Sequence, residues 1–279
     1  MKKLISILSL TVGLLVSATA FVACGSNDDD STEDNKSSKR ITKIINEGEY
    51  DSESTYSYDS QGRIVKIVGE ANYRSGRKTS SVETIQYGET LIVSKGEGNE
   101  TDSNGQTSYS ILHSYTLDKG LIIKEEEKQE YSYNNSYETA PYSYSHYETV
   151  TYSYDANGRL ASISKYGTNI DSHTDTVIWS NGNISSIGDM TYISSDIPLP
   201  KGFPFNLRGS GMNTYLFSMG YYGNIPRNLI SSCKHHDSDG STYERTYDYT
   251  LQDGLVTKVV ETHVDDYESL KWISTIFWE

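Results

Sequence analysis

Two cysteines, six histidines, 38 acidic residues and 24 tyrosines are the side chains of this 279-residue chain with chemistry to offer. Their spacing decides what they could do. His113, His146, His173, His235, His236 and His263 fall in no zinc-binding helix motif and beside no CxxC pair. The densest group of ligand types is His235-His236-Asp237-Ser238-Asp239-Gly240. A calcium loop needs further spaced carboxylates and a closing Glu, and Asp239-Gly240 reads instead as a hairpin turn. No metal and no cofactor is expected. Two carboxylates about 5 to 10 Å apart could hydrolyse a glycosidic bond, but among 38 acids the sequence singles out no pair. A hydrolase with an unidentified carboxylate pair is therefore an alternative only, and the expectation is a protein that is not an enzyme.

The tyrosines are more pointed. Tyr131, Tyr133, Tyr137, Tyr142, Tyr144 and Tyr147 crowd one stretch, and exposed aromatic rings can stack on sugar faces. Tyr131, Tyr133, Tyr142, Tyr144 and Tyr147 are the candidate glycan-binding residues. The competing reading is that the rings cover cross-strand neighbours on a half-wet sheet.

Cys24 has a different chemistry. Lys2-Lys3, an apolar run from Leu4 to Val22 and Ala23-Cys24 have the order of an export signal cut before a cysteine that then carries lipid. Residues 1–23 are expected to be a lipoprotein signal peptide. Diacyl and N-acyl chains on Cys24 bury enough CH2 groups, at about 0.8 kcal/mol each, for a stable membrane hold. An uncleaved span is the other use of such a run, since about 20 apolar residues cross a bilayer, but Ser6, Ser9, Thr11, Ser17 and Thr19 dilute it. Residues 24–39 hold Asp28-Asp29-Asp30 and almost no apolar side chain, which makes them a disordered acidic tether. The acidic run resembles a surface-export signal of diderm lipoproteins. The expected location is the outer membrane at the cell surface, with its periplasmic face as the alternative.

Net charge is −14, and more acidic once Lys2 and Lys3 leave with the leader. Such a chain is repelled by nucleic acid and by anionic membranes, so nucleic acid is excluded as a partner. With Cys24 lipidated, Cys233 has no disulfide partner, and stability must come from sheet pairing and burial.

These side chains need strands to position them. Thr55-Tyr56-Ser57-Tyr58-Asp59-Ser60-Gln61-Gly62-Arg63-Ile64 returns as Thr151-Tyr152-Ser153-Tyr154-Asp155-Ala156-Asn157-Gly158-Arg159-Leu160, with looser copies around Gly120, Gly182 and Gly254. In each, an alternating Tyr/Thr strand enters, Asp or Asn opens a turn, Gly takes positive φ and an aliphatic strand leaves. From Tyr142 to Tyr154 a period of two holds throughout. Long hairpins in sequence imply a meander that curls to protect its edges. The stretch near 196–230 holds four of the five prolines and an apolar cluster, Tyr215-Leu216-Phe217, without alternation. It is expected to leave the sheet as an irregular insert with a short helix and to pack over a face or mouth of the sheet. Residues 40–279 are thus expected to form a single antiparallel β domain.

The lipoprotein start, the Tyr-x-Tyr-Asp-x-x-Gly-Arg hairpins, Asn213-Thr214-Tyr215-Leu216-Phe217, Asn228-Leu229-Ile230-Ser231-Ser232 and the closing Tyr249-Thr250-Leu251-Gln252-Asp253-Gly254-Leu255-Val256 hairpin together resemble a domain-of-unknown-function family with a porin-like fold. The hairpin alone also resembles the tyrosine-aspartate repeats of large secreted shell proteins. The resemblance implies a curled antiparallel sheet or barrel and no activity. A membrane-embedded barrel is not expected, because strand faces carrying Glu, Lys, Ser and Thr give no continuous apolar band. The functional expectation is a lipid-anchored, non-catalytic binding or structural module, with a polysaccharide or a surface protein as partner.

Overall fold

The computed structural model describes residues 39–48, 50–102, 105–135, 142–168, 170–204, 207, 211–236, 242–265 and 269–279. Apart from Lys39, the expected signal peptide and tether lie outside them, as do Cys24, Tyr137 and Asp237 to Gly240. Sixteen strands form one closed antiparallel barrel: β1 (Ile41–Glu47), β2 (Tyr50–Tyr58), β3 (Ile64–Tyr73), β4 (Lys78–Tyr87), β5 (Leu91–Thr101), β6 (Gly105–Asp118), β7 (Leu121–Asn135), β8 (Tyr142–Tyr154), β9 (Leu160–Gly167), β10 (Ile170–Ser180), β11 (Asn183–Ile187), β12 (Met190–Pro198), β13 (Asn228–His236), β14 (Thr242–Gln252), β15 (Leu255–Val264) and β16 (Ser269–Trp278). Each strand pairs with its sequence neighbours, and β1 closes on β16. Just beyond that seam, Arg40 and Glu279 exchange two backbone hydrogen bonds, at 2.6 and 2.9 Å.

The repeated turns lie together at one end. The Asp59 carboxylate accepts from the Gln61 and Arg63 amides, both at 2.9 Å, and Gly62 sits at φ +80 as the reading required. Desolvation pulls the Asp59 pKa upward, but the Arg63 amide, the Arg63 guanidinium and the Gln61 amide outweigh it and hold the carboxyl below its ordinary value. A depressed folded-state pKa contributes stability above the unfolded value and loses it as the pH falls through the folded one. Asp59→Ala is expected to cost about 1 kcal/mol near neutrality, in line with ordinary turn hydrogen bonds near water. The difference from the parent should vanish in acid. Urea unfolding across pH measures it, and a cost that does not change with pH counts against this account.

A bulge follows almost every one of these turns. The register shifts by one residue between Ile41 and Lys43 in β1, and opposite Tyr58, Leu117, Tyr154, Trp179, Ser194 and Leu251 in the pairs β2–β3, β6–β7, β8–β9, β10–β11, β12–β13 and β14–β15. A bulge leaves backbone groups outside the ladder, and buried ones need another partner. Aromatic donors from adjacent strands supply it. Tyr58 donates to the Ile41 carbonyl at 2.6 Å, Tyr87 to Ile64 at 2.8 Å, Tyr154 to Ile122 at 2.6 Å, and Tyr249 to Ile230 at 2.7 Å. Trp179 and Trp278 do the same for Leu160 and Val256, both at 2.8 Å. This is why these positions hold Tyr or Trp and not Phe: each wants an apolar ring with a donor at its tip.

Inward positions at this end are aliphatic or aromatic and dry: Ile67, Ile85, Ile92, Ile122, Leu160, Ile163 and Val256 are all buried. The segment between β12 and β13 completes that core. Helix α1 (Thr214–Ser218), capped by the Asn213 side chain, places Leu216 and Phe217 inside the barrel, and Tyr222 follows, fully buried. Backbone bonds tie this plug to three of the turns: Ile122 donates to Tyr221 at 2.8 Å, Asn224 to Gly158 at 3.2 Å, and Arg227 to Gly182 at 3.2 Å. The plug is shorter than the expected insert, because β12 runs on to Pro198 and β13 begins at Asn228.

The outer wall is of the opposite character. Outward positions read Glu53, Thr55 and Ser57 on β2, Ser80, Val82 and Thr84 on β4, Ser108, Ser110 and Leu112 on β6, and Glu244, Thr246 and Asp248 on β14. At these positions the outer wall is mostly polar, while the inside is dry at one end.

Candidate functional site

Above the plug the lumen opens, and β6, β7 and β8 form its longest wall, with 14, 15 and 13 residues. Tyr109 pairs with Tyr131, which pairs with Tyr144, so cross-strand alternation puts all three rings on the inner face. Tyr131 and Tyr144 stack at 4.8 Å and 11°, and Tyr109 follows at 6.2 Å. The ladder borders a hollow of about 850 Å3 lined also by Gly69, Ser81 and Gly98. Gly98 is required there: a Cβ would overlap the Tyr109 hydroxyl and the Ser80 carbonyl. Of the expected tyrosine row, Tyr133 and Tyr142 are register partners one step further along the same two strands. Tyr147 is not part of the ladder. It occupies an odd position of β8 and faces outward, about half exposed, with the Lys128 ammonium 5.8 Å from its ring.

Nearer the plug, the same wall carries acids and a histidine. Glu125, 4% exposed, receives the Tyr152 hydroxyl on Oε2 at 2.7 Å and faces His113 Nδ1 with Oε1 at 2.9 Å. Glu127 Oε2 lies 3.6 Å from the same nitrogen. Burial lowers the His113 pKa, but the hydrogen bond and charge of Glu125, then Glu127 and Glu83, outweigh it and raise it above the ordinary histidine value. Ser94, opposite His113 in the register, donates to Glu83 at 2.5 Å.

Across the lumen, a chamber of about 440 Å3 lies between the plug residues Phe203 and Tyr215 and the wall residues Tyr56, Tyr247, Tyr249 and Trp272. Its charged members are Arg245 and Glu261, which form an ion pair. The Arg245 guanidinium lies 5.5 Å from the Trp272 ring centre and 5.8 Å from that of Tyr243. His235 and His236, the densest ligand group in the sequence, sit near the end of β13, where the His235 ring lies 5.0 Å from Tyr243.

No protein-family model matches the chain, and no curated protein matches it. Its fold is matched by solved structures. The crystal structure of a porin-like protein from Bacteroides uniformis ATCC 8492 aligns over 86% of this chain and 96% of its own, at 19% identity and a TM-score of 0.56. A porin-like protein from Bacteroides vulgatus ATCC 8482 aligns over 86% and 99%, at 13% identity and a TM-score of 0.38. The first likeness shows a shared porin-like barrel fold.

That fold is built here with a covered end, so the groups that face the lumen face a cup. The tyrosine stretch pointed to one wall of it. His113, Glu125 and Glu127 were not singled out, although a parity count along β6 and β7 brings them close. The count fails by one residue because the bulge at Ile123 flips the face of everything after it.

Proposed function

We propose that the protein is a non-catalytic capture module, tethered by lipid on Cys24 at the outer membrane and holding a polysaccharide segment against the inner wall of its cup. The observation that carries this reading is the Tyr109–Tyr131–Tyr144 ladder, whose rings border an open hollow with Tyr144 about half exposed. Rings fixed by cross-strand stacking lose little entropy when a sugar face lies on them, and the inward Ser81 offers a hydroxyl partner. Capture is favoured over hydrolysis because Glu125, the most buried acid of the lumen, is held by Tyr152 and His113 rather than presented to the hollow. The aspect of a through-channel is missing as well, since the plug covers one end.

A polysaccharide array probed with the full chain tests the proposal. Tyr131→Ala and Tyr144→Ala are each expected to weaken binding by about 1–2 kcal/mol, roughly fivefold to thirtyfold. Tyr147→Ala, on the outer face, should leave it unchanged. Binding that survives both inner substitutions, or that fails with Tyr147→Ala alone, sinks the reading.

A further inference from the structure

We infer that His113, Glu125 and Glu127 form a binding site for a divalent transition-metal cation of the zinc class. The site goes beyond the capture reading and does not depend on what the mouth of the cup holds. One ligand atom from each residue lies within 4.8 Å of the others. His113 Nδ1 is 2.9 Å from Glu125 Oε1 and 3.6 Å from Glu127 Oε2. A tetrahedral ion with bonds of about 2.1 Å sets neighbouring ligand atoms about 3.4 Å apart, so the two distances to the histidine already lie within about half an ångström of that, and the carboxylate oxygens, within 4.8 Å of each other, would draw together on the ion. Imidazole with carboxylates suits zinc better than calcium or magnesium, which take oxygen-only shells.

The surroundings fit a ligand set. Each carboxylate turns one oxygen to the histidine while a neutral donor holds the other: Tyr152 binds Glu125 Oε2, and the Gln129 amide binds Glu127 Oε1. Gln129 is held in turn by the Tyr131 hydroxyl at 2.7 Å. Outer-sphere hydrogen bonds of this kind orient metal-binding carboxylates. Charge points the same way. Among the described residues no lysine or arginine forms an ion pair with Glu83, Glu125 or Glu127, and one imidazole faces all three acids. A divalent cation supplies the missing positive charge.

A separate observation comes from Tyr115. Four tyrosines occupy the second inward level of their strands: Tyr56, Tyr115, Tyr152 and Tyr247. At the hydroxyls of Tyr56, Tyr152 and Tyr247 the partners are Tyr215, Glu125 and Cys233. The Tyr115 hydroxyl is fully buried, has the Asn213 side chain as its polar partner and lies in the field of Glu125 and Glu83. Its ring lies parallel to His113 at 5.8 Å, and its register partner is Glu125. The Tyr115 ring thus packs along the imidazole and helps to hold its orientation toward the two carboxylates.

The full chain, purified in detergent and stripped with chelator, tests the site by calorimetric titration with Zn2+. One saturable equivalent is expected, with no comparable binding of Mg2+. His113→Ala and Glu127→Gln should each weaken it at least about tenfold, the lower end of what losing even an outer-sphere partner costs. His173→Ala, on the far side of β9, should not. No saturable binding, or equal affinity in both site variants, overturns the inference. A readout on the parent chain guards against a variant that fails to fold: Zn2+ should protect His113 from diethyl pyrocarbonate, as read by mass spectrometry. Unchanged modification of His113 at saturating Zn2+ also overturns it.

Discussion

Tyr222→Ala is expected to destabilise the barrel by about 3–5 kcal/mol, the cost of emptying a large aromatic site in a packed core. Tyr222 has no exposed surface. Its ring meets Tyr152 edge-on at 5.0 Å and Phe217 at 6.3 Å, so it joins the plug to β8. The barrel cannot collapse into the space, because closed hydrogen-bonding around sixteen strands fixes its circumference. Tyr222→Phe separates the ring from its hydroxyl. That hydroxyl accepts from the Asn213 amide at a long 3.4 Å and is hydrogen-bonded with the Tyr152 hydroxyl, so the Phe variant should lose about 1–2 kcal/mol, less than the Ala variant. Urea unfolding followed by tryptophan fluorescence distinguishes the two. An Ala variant as stable as the parent means that the plug rests on the barrel without supporting it.

The plug was legible as an interruption: prolines and an apolar cluster without alternation cannot continue a strand. Strand β8 was legible to the residue, because a period of two from Tyr142 to Tyr154 admits no other element. Closure was not, since the pairing of β1 with β16 joins residues that no local pattern relates. Nor was the division of the tyrosine row, although parity contained it: Tyr144 is even and Tyr147 odd along β8. The acid and histidine cluster was hidden for another reason. A two-residue turn at Lys119-Gly120 implies a register in which Glu126 lies opposite His113. The bulge at Ile123 moves the pairing on by one, so that Glu127 takes that place and Glu125 and Glu127 turn inward. The same bulge recurs behind most hairpins of this end, and its sequence mark is the Tyr or Trp on the next strand that satisfies the freed carbonyl.

On the proposed lipid tether, Cys24→Ala should change where the protein is found more than any other single substitution. The full chain is expected to sediment with outer membranes through an alkaline carbonate wash, and Cys24→Ala to appear in the soluble fraction. The outer wall is the reason. A lipid-facing barrel needs an apolar band about 25 Å tall, which takes every outward residue of strands 9 to 11 long. Here the outward positions include Lys66, Lys95, Lys124, Lys128, Lys258 and Lys271, spread over β3, β5, β7, β15 and β16. Each lysine costs up to about 2–4 kcal/mol at the bilayer midplane. Glu53, Glu70, Glu97 and Glu126 add to that on the same face, and among the described residues the apolar Ile178, Ile193 and Phe277 stand on separate strands without joining into a band. Such a wall is poorly suited to hydrocarbon, so on this proposal the acyl chains on Cys24 carry the membrane attachment. If Cys24→Ala stays with the membrane through the wash, a second anchor exists and the single-tether account is wrong.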